Sequence, residues 1–472
     1  MLKKMALGKK PYKWGDIMSL MEKINIVDQK IKEMKVALDL DEDVPLDTLV
    51  ENVGKGGTTE VVNGVVDTNY FSTGGEIQPN TFIKTSVVSN LTALNITGTF
   101  YDSAPLDNDH FVVVTRDGNN GDVKLYVFSG TTLLSSVIIE DDSTATVHVC
   151  TAEDGVNIFA LVGGLGYGAK VMHYTFNNGG LAKIAEKETE GKSSNYYMYS
   201  CGITYFKKSG TTHTCLIGTK VDDWCYCGVA QFTGSSITCG SLLGLHDNHN
   251  YSIDFGGFAV ISSTKAITCC TNITNSYGNV GTGAYILTVS GTTITKTALS
   301  GSPTRQPRVF KVNDSLVVIA NRFSDTASLV LDKYTISGSS ATFSGTITVG
   351  TMGSTSPYFT DIAKINDNNF LIMHTYYDSS TKLKYCPCTV DGTNITLGTE
   401  VLLNQSGSNF KRLIRKGTNA IQIHIGSSIL LGILNGLSFT VGVKYVSPAT
   451  SSIDGITKTL CSESVAGEIW KL

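Results

Sequence analysis

Few residues in this chain have the types and spacing that chemistry needs. Cysteines fall two apart at Cys225-Tyr-Cys227 and Cys386-Pro-Cys388, and side by side at Cys269-Cys270. Zinc sites use Cys-x₂₋₄-Cys, and one intervening residue falls short of that spacing. In a strand, residues two apart share a face, so these thiols read as small buried hydrophobes. His246-Asp-Asn-His249 is the densest polar cluster; a metal there needs ligands from other loops, and the segment reads as an exposed loop. Asp117-Gly-Asn-Asn-Gly-Asp122 resembles part of a calcium loop but lacks its closing glutamate, so a turn between two strands is expected. Glu140-Asp141-Asp142 follows the apolar Val137-Ile-Ile139 and reads as a solvated turn. There is no Gly-x-Ser-x-Gly elbow, His-Glu-x-x-His, P-loop or Ser-x-Asp-x-Gly-x-Thr-Trp box. The expectation is a non-enzymatic protein with no cofactor and no metal.

Aromatic side chains are the better lead. Tyr196, Tyr197, Tyr199, Trp224, Tyr226, Tyr251, Tyr376 and Tyr377 stand among Asn and Asp residues near predicted strand ends, as does Tyr358-Phe359. Flat rings beside amides and carboxylates suit glycan or protein recognition. The same rings can also serve as packing between sheets.

The elements that position these residues repeat. A hairpin signature of alternating strand, glycine turn and second short strand recurs with turn glycines Gly130, Gly179, Gly234, Gly291, Gly338, Gly392 and Gly436. The copies lie roughly fifty residues apart, the period of one blade of a β-propeller. Most copies are preceded by a polar turn and a nearly continuous apolar strand, as in Asp107-Asn-Asp-His-Phe-Val-Val-Val114 and Asn366-Asp-Asn-Asn-Phe-Leu-Ile-Met373. Continuous apolar strands are buried on both faces. The fold expected is mainly β, a seven-bladed β-propeller over residues 95–445; two stacked β-sandwiches are the alternative, which self-similarity does not require.

The chain has 472 residues, 48 of them glycine, and a net charge of −4, which argues against nucleic-acid binding. Eleven cysteines, an odd number, and no signal-peptide pattern after Met1-Leu-Lys-Lys-Met5 argue against a disulfide framework. No apolar run is long enough to insert in a membrane, and synthesis in a cytoplasm is expected.

The ends differ from the middle. Ile17, Leu20, Ile24, Val27, Ile31, Met34 and Leu38 form a heptad, with Ile17, Ile24, Ile31 and Leu38 at a and Leu20, Val27 and Met34 at d. So narrow a seam favours self-association over packing on a partner or on the chain's own domain, and its a and d residues allow either two or three strands. A short helix is expected at Pro45–Val53, then a hinge at Gly54-Lys-Gly-Gly57. The expected domains are a helical coiled-coil attachment region at 1–57, a β connector at 58–94, the propeller at 95–445 and a two-strand tail at 446–472.

These ends carry a family resemblance. Ile24-Asn-Ile-Val-Asp-Gln-Lys-Ile-Lys-Glu-Met-Lys-Val-Ala-Leu38 with Val44-Pro-Leu-Asp-Thr-Leu-Val-Glu-Asn-Val53 resembles the opening of tail and baseplate-associated proteins of bacteriophages of Gram-positive hosts. Gly455-Ile-Thr-Lys-Thr-Leu-Cys-Ser-Glu-Ser-Val-Ala-Gly-Glu-Ile469 is similar to their endings, departing at Leu460-Cys461 where small residues are usual. The resemblance covers the ends and not the propeller, and phage-tail-like bacteriocins share the same parts. It implies a virion component, assembled in the host cytoplasm, with a helical attachment region bound to other tail or baseplate proteins. It also implies a propeller head that meets a surface receptor, glycan or protein, and it favours a trimer. A purely structural baseplate or collar protein is the second reading, and a glycan-processing enzyme the third.

Overall fold

This computed structural model describes the strands at 65–67, 70–72 and 83–88, most of residues 92–448, and the strands at 459–461 and 469–471. The heptad at Ile17–Leu38 and the expected helix at 45–53 lie outside the described residues. Two compact units emerge, one built from 1–86 with 445–472, the other from 87–444.

The larger unit is a seven-bladed propeller. Blade 1 holds Thr99–Pro105, His110–Arg116, Asp122–Ser129 and Thr132–Asp141; blade 2 holds Thr146–Thr151, Asn157–Gly163, Lys170–Asn177 and Gly180–Glu188. Blade 3 holds Met198–Ser209, Thr212–Val221, Trp224–Thr233 and Ser236–Cys239; blade 4 holds Tyr251–Ser262, Lys265–Ile273, Ala284–Ser290 and Thr293–Ala298. Blade 5 holds Arg305–Asn313, Leu316–Phe323, Ser328–Ser337 and Ser340–Thr351; blade 6 holds Thr360–Asn366, Asn369–Tyr377, Thr381–Asp391 and Asn394–Leu397. Blade 7 holds Phe410–Lys416, Ala420–Ile425, Ser428–Asn435 and Ser438–Val441. Each blade is an antiparallel sheet in chain order. The first strand of every blade touches the first strand of the next, and the seventh returns to the first, so the ring is closed and the first strands are innermost.

Sequence pattern explains this layering. The second strands are buried along most of their length, and all six residues of Ala420–Ile425 are buried. The fourth strands alternate, as in Ser340–Thr351, and face solvent. Between the blades lie seven apolar clusters, one to a seam. Each blade thus buries both sheet faces against its neighbours, which is the main stabilising term of the fold.

Strand direction alternates within a blade, which gives the propeller two unlike faces. The 1–2 and 3–4 turns fall on one, here the turn face. The 2–3 loops and the connections between blades fall on the other, the loop face. Every 3–4 turn is a two-residue hairpin carrying a signature glycine. Six of these glycines sit at φ between 55° and 60°, in the first central position, as a type II′ turn requires. The seventh turn is Asn178-Gly179, with φ of 51° and 78°, the type I′ solution.

Closure involves residues upstream of the first blade. Thr92–Ala93 pairs with Ser428–Asn435, the third strand of blade 7. There it occupies the place that Leu243–Gly244 takes in blade 3 and Val401–Ser406 in blade 6. Leu94 follows it into the seam between blades 7 and 1. The expected connector boundary at 94/95 therefore falls inside the closing segment.

In the smaller unit, Ile469–Lys471 lies between Val65–Asp67 and Thr459–Cys461, and Val443–Pro448 lies between Tyr70–Ser72 and Ile83–Val88. The tail pairs with the connector, not with a blade.

Candidate functional site

The candidate aromatic residues share one face of the propeller. Tyr199 and Tyr251 lie near the start of a first strand, Trp224 and Tyr226 start a third strand, and Tyr376 and Tyr377 end a second strand. All of these ends belong to the loop face. Tyr196 and Tyr197 lie outside the described residues, as do His246–His249, and Tyr251 is described in its backbone alone.

Blade 3 presents the most open rings. Trp224 is 40% exposed and Tyr199 38%. Trp224 pairs with Val221, which pairs with Met198; Tyr199 and Cys225 pair with Lys220 in the adjacent row. Adjacent rows point to opposite sides of a sheet. Met198 and Val221 pack toward blade 2, and Cys225 packs toward blade 4. Trp224 therefore stands at the mouth of the groove between blades 2 and 3, and Tyr199 at the mouth between blades 3 and 4. Tyr226, two residues on from Trp224, is half-buried on the same side and packs on that groove's core.

The base under Trp224 is firm. Ser200 N–H donates to Thr146 Oγ1 of blade 2 at 2.8 Å, and the two hydroxyls lie 3.0 Å apart. Gly163 approaches so closely that a Cβ there would lie 2.1 Å from Ser200 N. A ring pair set on two interlocked blades loses little entropy when a partner packs on it.

Tyr376 has a different setting. Lys384 Nζ lies 4.1 Å from its ring centroid. The ammonium donates to Glu400 Oε2 at 2.6 Å, and Glu400 Oε1 lies 2.8 Å from Nε2 of the fully buried His374. His374 Nδ1 lies 3.0 Å from Thr375 O. Burial pushes the Glu400 carboxyl up, but His374 and Lys384 outweigh it and hold it below the usual range. Both Glu400 oxygens are thus taken, and one face of Tyr376 is covered by a cation. Tyr377 is partly buried, and its N–H donates to Met352 O of the neighbouring blade at 2.9 Å.

A second polar system runs along the innermost strands. Arg412 Nε of blade 7 lies 3.6 Å from Asp102 Oδ1 of blade 1 and 3.8 Å from Asp361 Oδ2 of blade 6. Asp102 Oδ2 lies 3.2 Å from His148 Nδ1 and accepts from Val149 N–H at 3.3 Å, both in blade 2. Leu413 N–H donates to Asp361 Oδ2 at 2.7 Å. Burial pushes Asp102 up; Arg412, His148 and the Ser103 amide overcome it and hold the carboxyl at about 2. Four consecutive blades, 6-7-1-2, are linked in this way across the point of closure. Composition gave no sign of this chain, because its members are single residues in four different repeats.

On the turn face, a cavity of about 340 Å³ is lined by Leu106, Asp107, Thr151, Glu153 and Arg415 with two small apolar neighbours. The carboxylate of Asp107 is engaged by the N–H and ring of His110.

The thiols are packing residues. Cys225 and Cys227 are fully buried in the seam of blades 3 and 4 with Cys270, and Cys386 and Cys388 in that of blades 5 and 6. Burial pushes Cys227, Cys269 and Cys270 well above the usual thiol range, which keeps them unreactive. Among the described residues, no group of three or more His, Cys, Asp or Glu is arranged to hold a metal. Asp117 and Asp122 do bracket a hairpin loop, through Asp117 N–H to Asp122 O at 2.8 Å. Glu140 departs from expectation. It lies within the outer strand of blade 1 and pairs with Lys170 of blade 2, because the strand runs on past Ile139 to Asp141.

No protein-family model matches the chain, and no curated protein matches it. Solved structures of similar fold include a 6-phosphogluconolactonase homologue of Bacteroides fragilis at 11% identity, covering 72% of this chain and 98% of that one, with a TM-score of 0.45. The periplasmic gluconolactonase of Pseudomonas aeruginosa matches at 10% identity over 73% and 94%, with a TM-score of 0.45. A Lactobacillus plantarum protein matches at 10% identity over 72% and 98%, with a TM-score of 0.48. At these scores the likeness carries no argument about activity. The propeller stands on its own strand order.

Proposed function

We propose that this chain is a tail or baseplate component of a bacteriophage or phage-tail-like particle that adsorbs, without catalysis, to a host-surface glycan or surface protein. The loop face of its propeller is the contact surface. The observation that carries this reading is the pair of exposed rings, Trp224 and Tyr199, flanking the loop-face edge of blade 3 on an interlocked base. Wide, stiff aromatic surface is what recognition uses at low entropic cost. Position in the ring supports the same reading. The chain enters and leaves the propeller in blade 7, and blades 3 and 4 lie furthest from that point in ring order. An oligomer joined through the heptad at Ile17–Leu38 would present several such edges together, and avidity would make weak single sites effective.

The test is binding of fluorescently labelled full-length protein to a panel of Gram-positive cells and their isolated wall fractions. Saturable, strain-selective binding is expected. Absence of binding to every strain, with retention on other tail proteins, would move the chain to a purely structural role. The full chain is needed because a fragment starting at residue 95 lacks Thr92–Ala93 and Leu94.

A further inference from the structure

The seam that closes the ring differs chemically from the seams that follow blades 1, 5 and 6. In blades 1, 5 and 6, the second-strand side chains facing the next blade are apolar at two registers. Blade 6 carries Leu371 and Met373 opposite Ala363 and Asp361. Blade 1 carries Val112 and Val114 opposite Ala104 and Asp102. Blade 5 carries Val318 and Ala320 opposite Phe310 and Arg308. Blade 7 carries Gln422 and His424 there, opposite Ile414 and Arg412. Ile414 and Ile429 are the buried hydrophobes that blade 7 adds to this seam's core.

Both substituted residues are shut from bulk solvent. Gln422 is 1% exposed and His424 0%. His424 lies between Phe100 and Phe111 of blade 1, with ring centroids at 5.3 and 5.4 Å. From the blade 1 side comes Ser103, also 0% exposed, which pairs in register with Val113 of the seam core and so shares its face. Four atoms of these residues make no hydrogen bond to another protein atom: Ser103 Oγ, Gln422 Nε2, and both ring nitrogens of His424. Left dry, each carries the full desolvation penalty of an unpaired buried polar group, and native interiors avoid that cost.

We propose that the seam between blades 7 and 1 contains an internal polar site, bounded by Ser103, Gln422 and His424, that binds ordered water. The donor and acceptor count selects this occupant. A hydroxyl offers both roles, the amide nitrogen donates, and a neutral imidazole donates at one nitrogen and accepts at the other. A cation is disfavoured by the amide donors and by Arg412, opposite His424 in register. An anion is disfavoured by Asp102, next to Ser103. Water satisfies both roles, and buried waters bonded to otherwise unsatisfied groups are a regular part of folded proteins. The ring then closes on a hydrated joint where the seams that follow blades 1, 5 and 6 pack apolar side chains.

A high-resolution crystal structure of the full-length protein tests the site. Solvent density within hydrogen-bonding distance of Gln422 Nε2 and of a His424 ring nitrogen is expected. A dry seam, or one in which these side chains bond to each other, would overturn the proposal. Hydrogen exchange supplies an independent reading. Amides of Ala420–Ile425 should exchange at least about tenfold faster than those of the equivalent strand Asn369–Tyr377, and Gln422→Leu/His424→Met should remove the difference. Equal exchange in the wild-type strands, or a difference that survives the double variant, would count against it.

Discussion

Trp224 and Tyr376 show how neighbourhood decides what an aromatic side chain can do. Both came forward from the sequence as binding candidates, and both lie on the loop face. Trp224 keeps an exposed ring, whereas Tyr376 sits under Lys384, itself fixed by Glu400 and His374. Trp224→Ala should therefore weaken cell binding by at least tenfold with little change in melting temperature. Tyr376→Ala should leave binding within about twofold and lower stability, because it removes a cation–π partner worth about 0.5–2 kcal/mol. Equal loss of binding in both variants would contradict this ordering. At the turns, Gly291 stands at φ 59°, where an L side chain is strained. Gly291→Ala should cost about 1–2 kcal/mol in chemical denaturation, and a neutral result would refute the turn assignment. The sequence did not distinguish Trp224 from Tyr376, because Lys384 and Glu400 reach the tyrosine only once blade 6 has folded. The charge chain at Arg412 was equally hidden, its members being distant in sequence.

At the scale of elements, the hairpin repeat was legible because each blade repeats one physical demand: a two-residue turn, an apolar second strand and an alternating fourth strand. What could not be read was the closure. Thr92–Ala93 is a two-residue strand with no signature of its own, and its role follows from the shortness of Ser438–Val441, which leaves part of the third strand of blade 7 unpaired. One clue to the seam was present. The second strand of blade 7 reads Ile421-Gln-Ile-His424, interrupting an apolar run that blades 1, 5 and 6 continue as Phe111-Val-Val-Val114, Leu316-Val-Val-Ile-Ala320 and Phe370-Leu-Ile-Met373. Arg412 is the electrostatic part of the closure. Arg412→Met leaves the buried Asp102 without its cation and should cost about 2 kcal/mol, less than a fully buried pair because the arginine is partly exposed. Adding Asp102→Asn should restore part of that loss. A single variant as stable as wild type in urea denaturation would show that the ion pair contributes nothing to closure.

For the whole molecule, acid should act through histidine before carboxylate. Burial and Arg412 push His424 down to about 3, and burial and His213 push His173 down to about 4. Both fall below the ordinary value of 6.5, so folding favours their neutral forms. That stability is fully present above pH 6.5 and declines as pH falls toward 4, by up to about 1.4 kcal/mol per pH unit for each histidine. Asp102, held at about 2, keeps its contribution over that range and loses it below pH 3.8. Melting temperature should thus fall from pH 6.5 to 4, and His173→Phe/His424→Met should flatten the decline. A wild-type profile that is flat over this interval would contradict the assignment.

Adsorption through the loop face is tested by comparing the two faces of the intact propeller. Binding isotherms to a susceptible Gram-positive strain would be measured for the full-length protein, for Tyr199→Ala/Trp224→Ala on the loop face, and for Leu437→Ala, which removes a 43% exposed side chain from a turn on the opposite face. The loop-face variant should lose at least tenfold in affinity at unchanged melting temperature, while Leu437→Ala should bind as wild type does. Undiminished binding by the loop-face variant, or loss confined to Leu437→Ala, would contradict it.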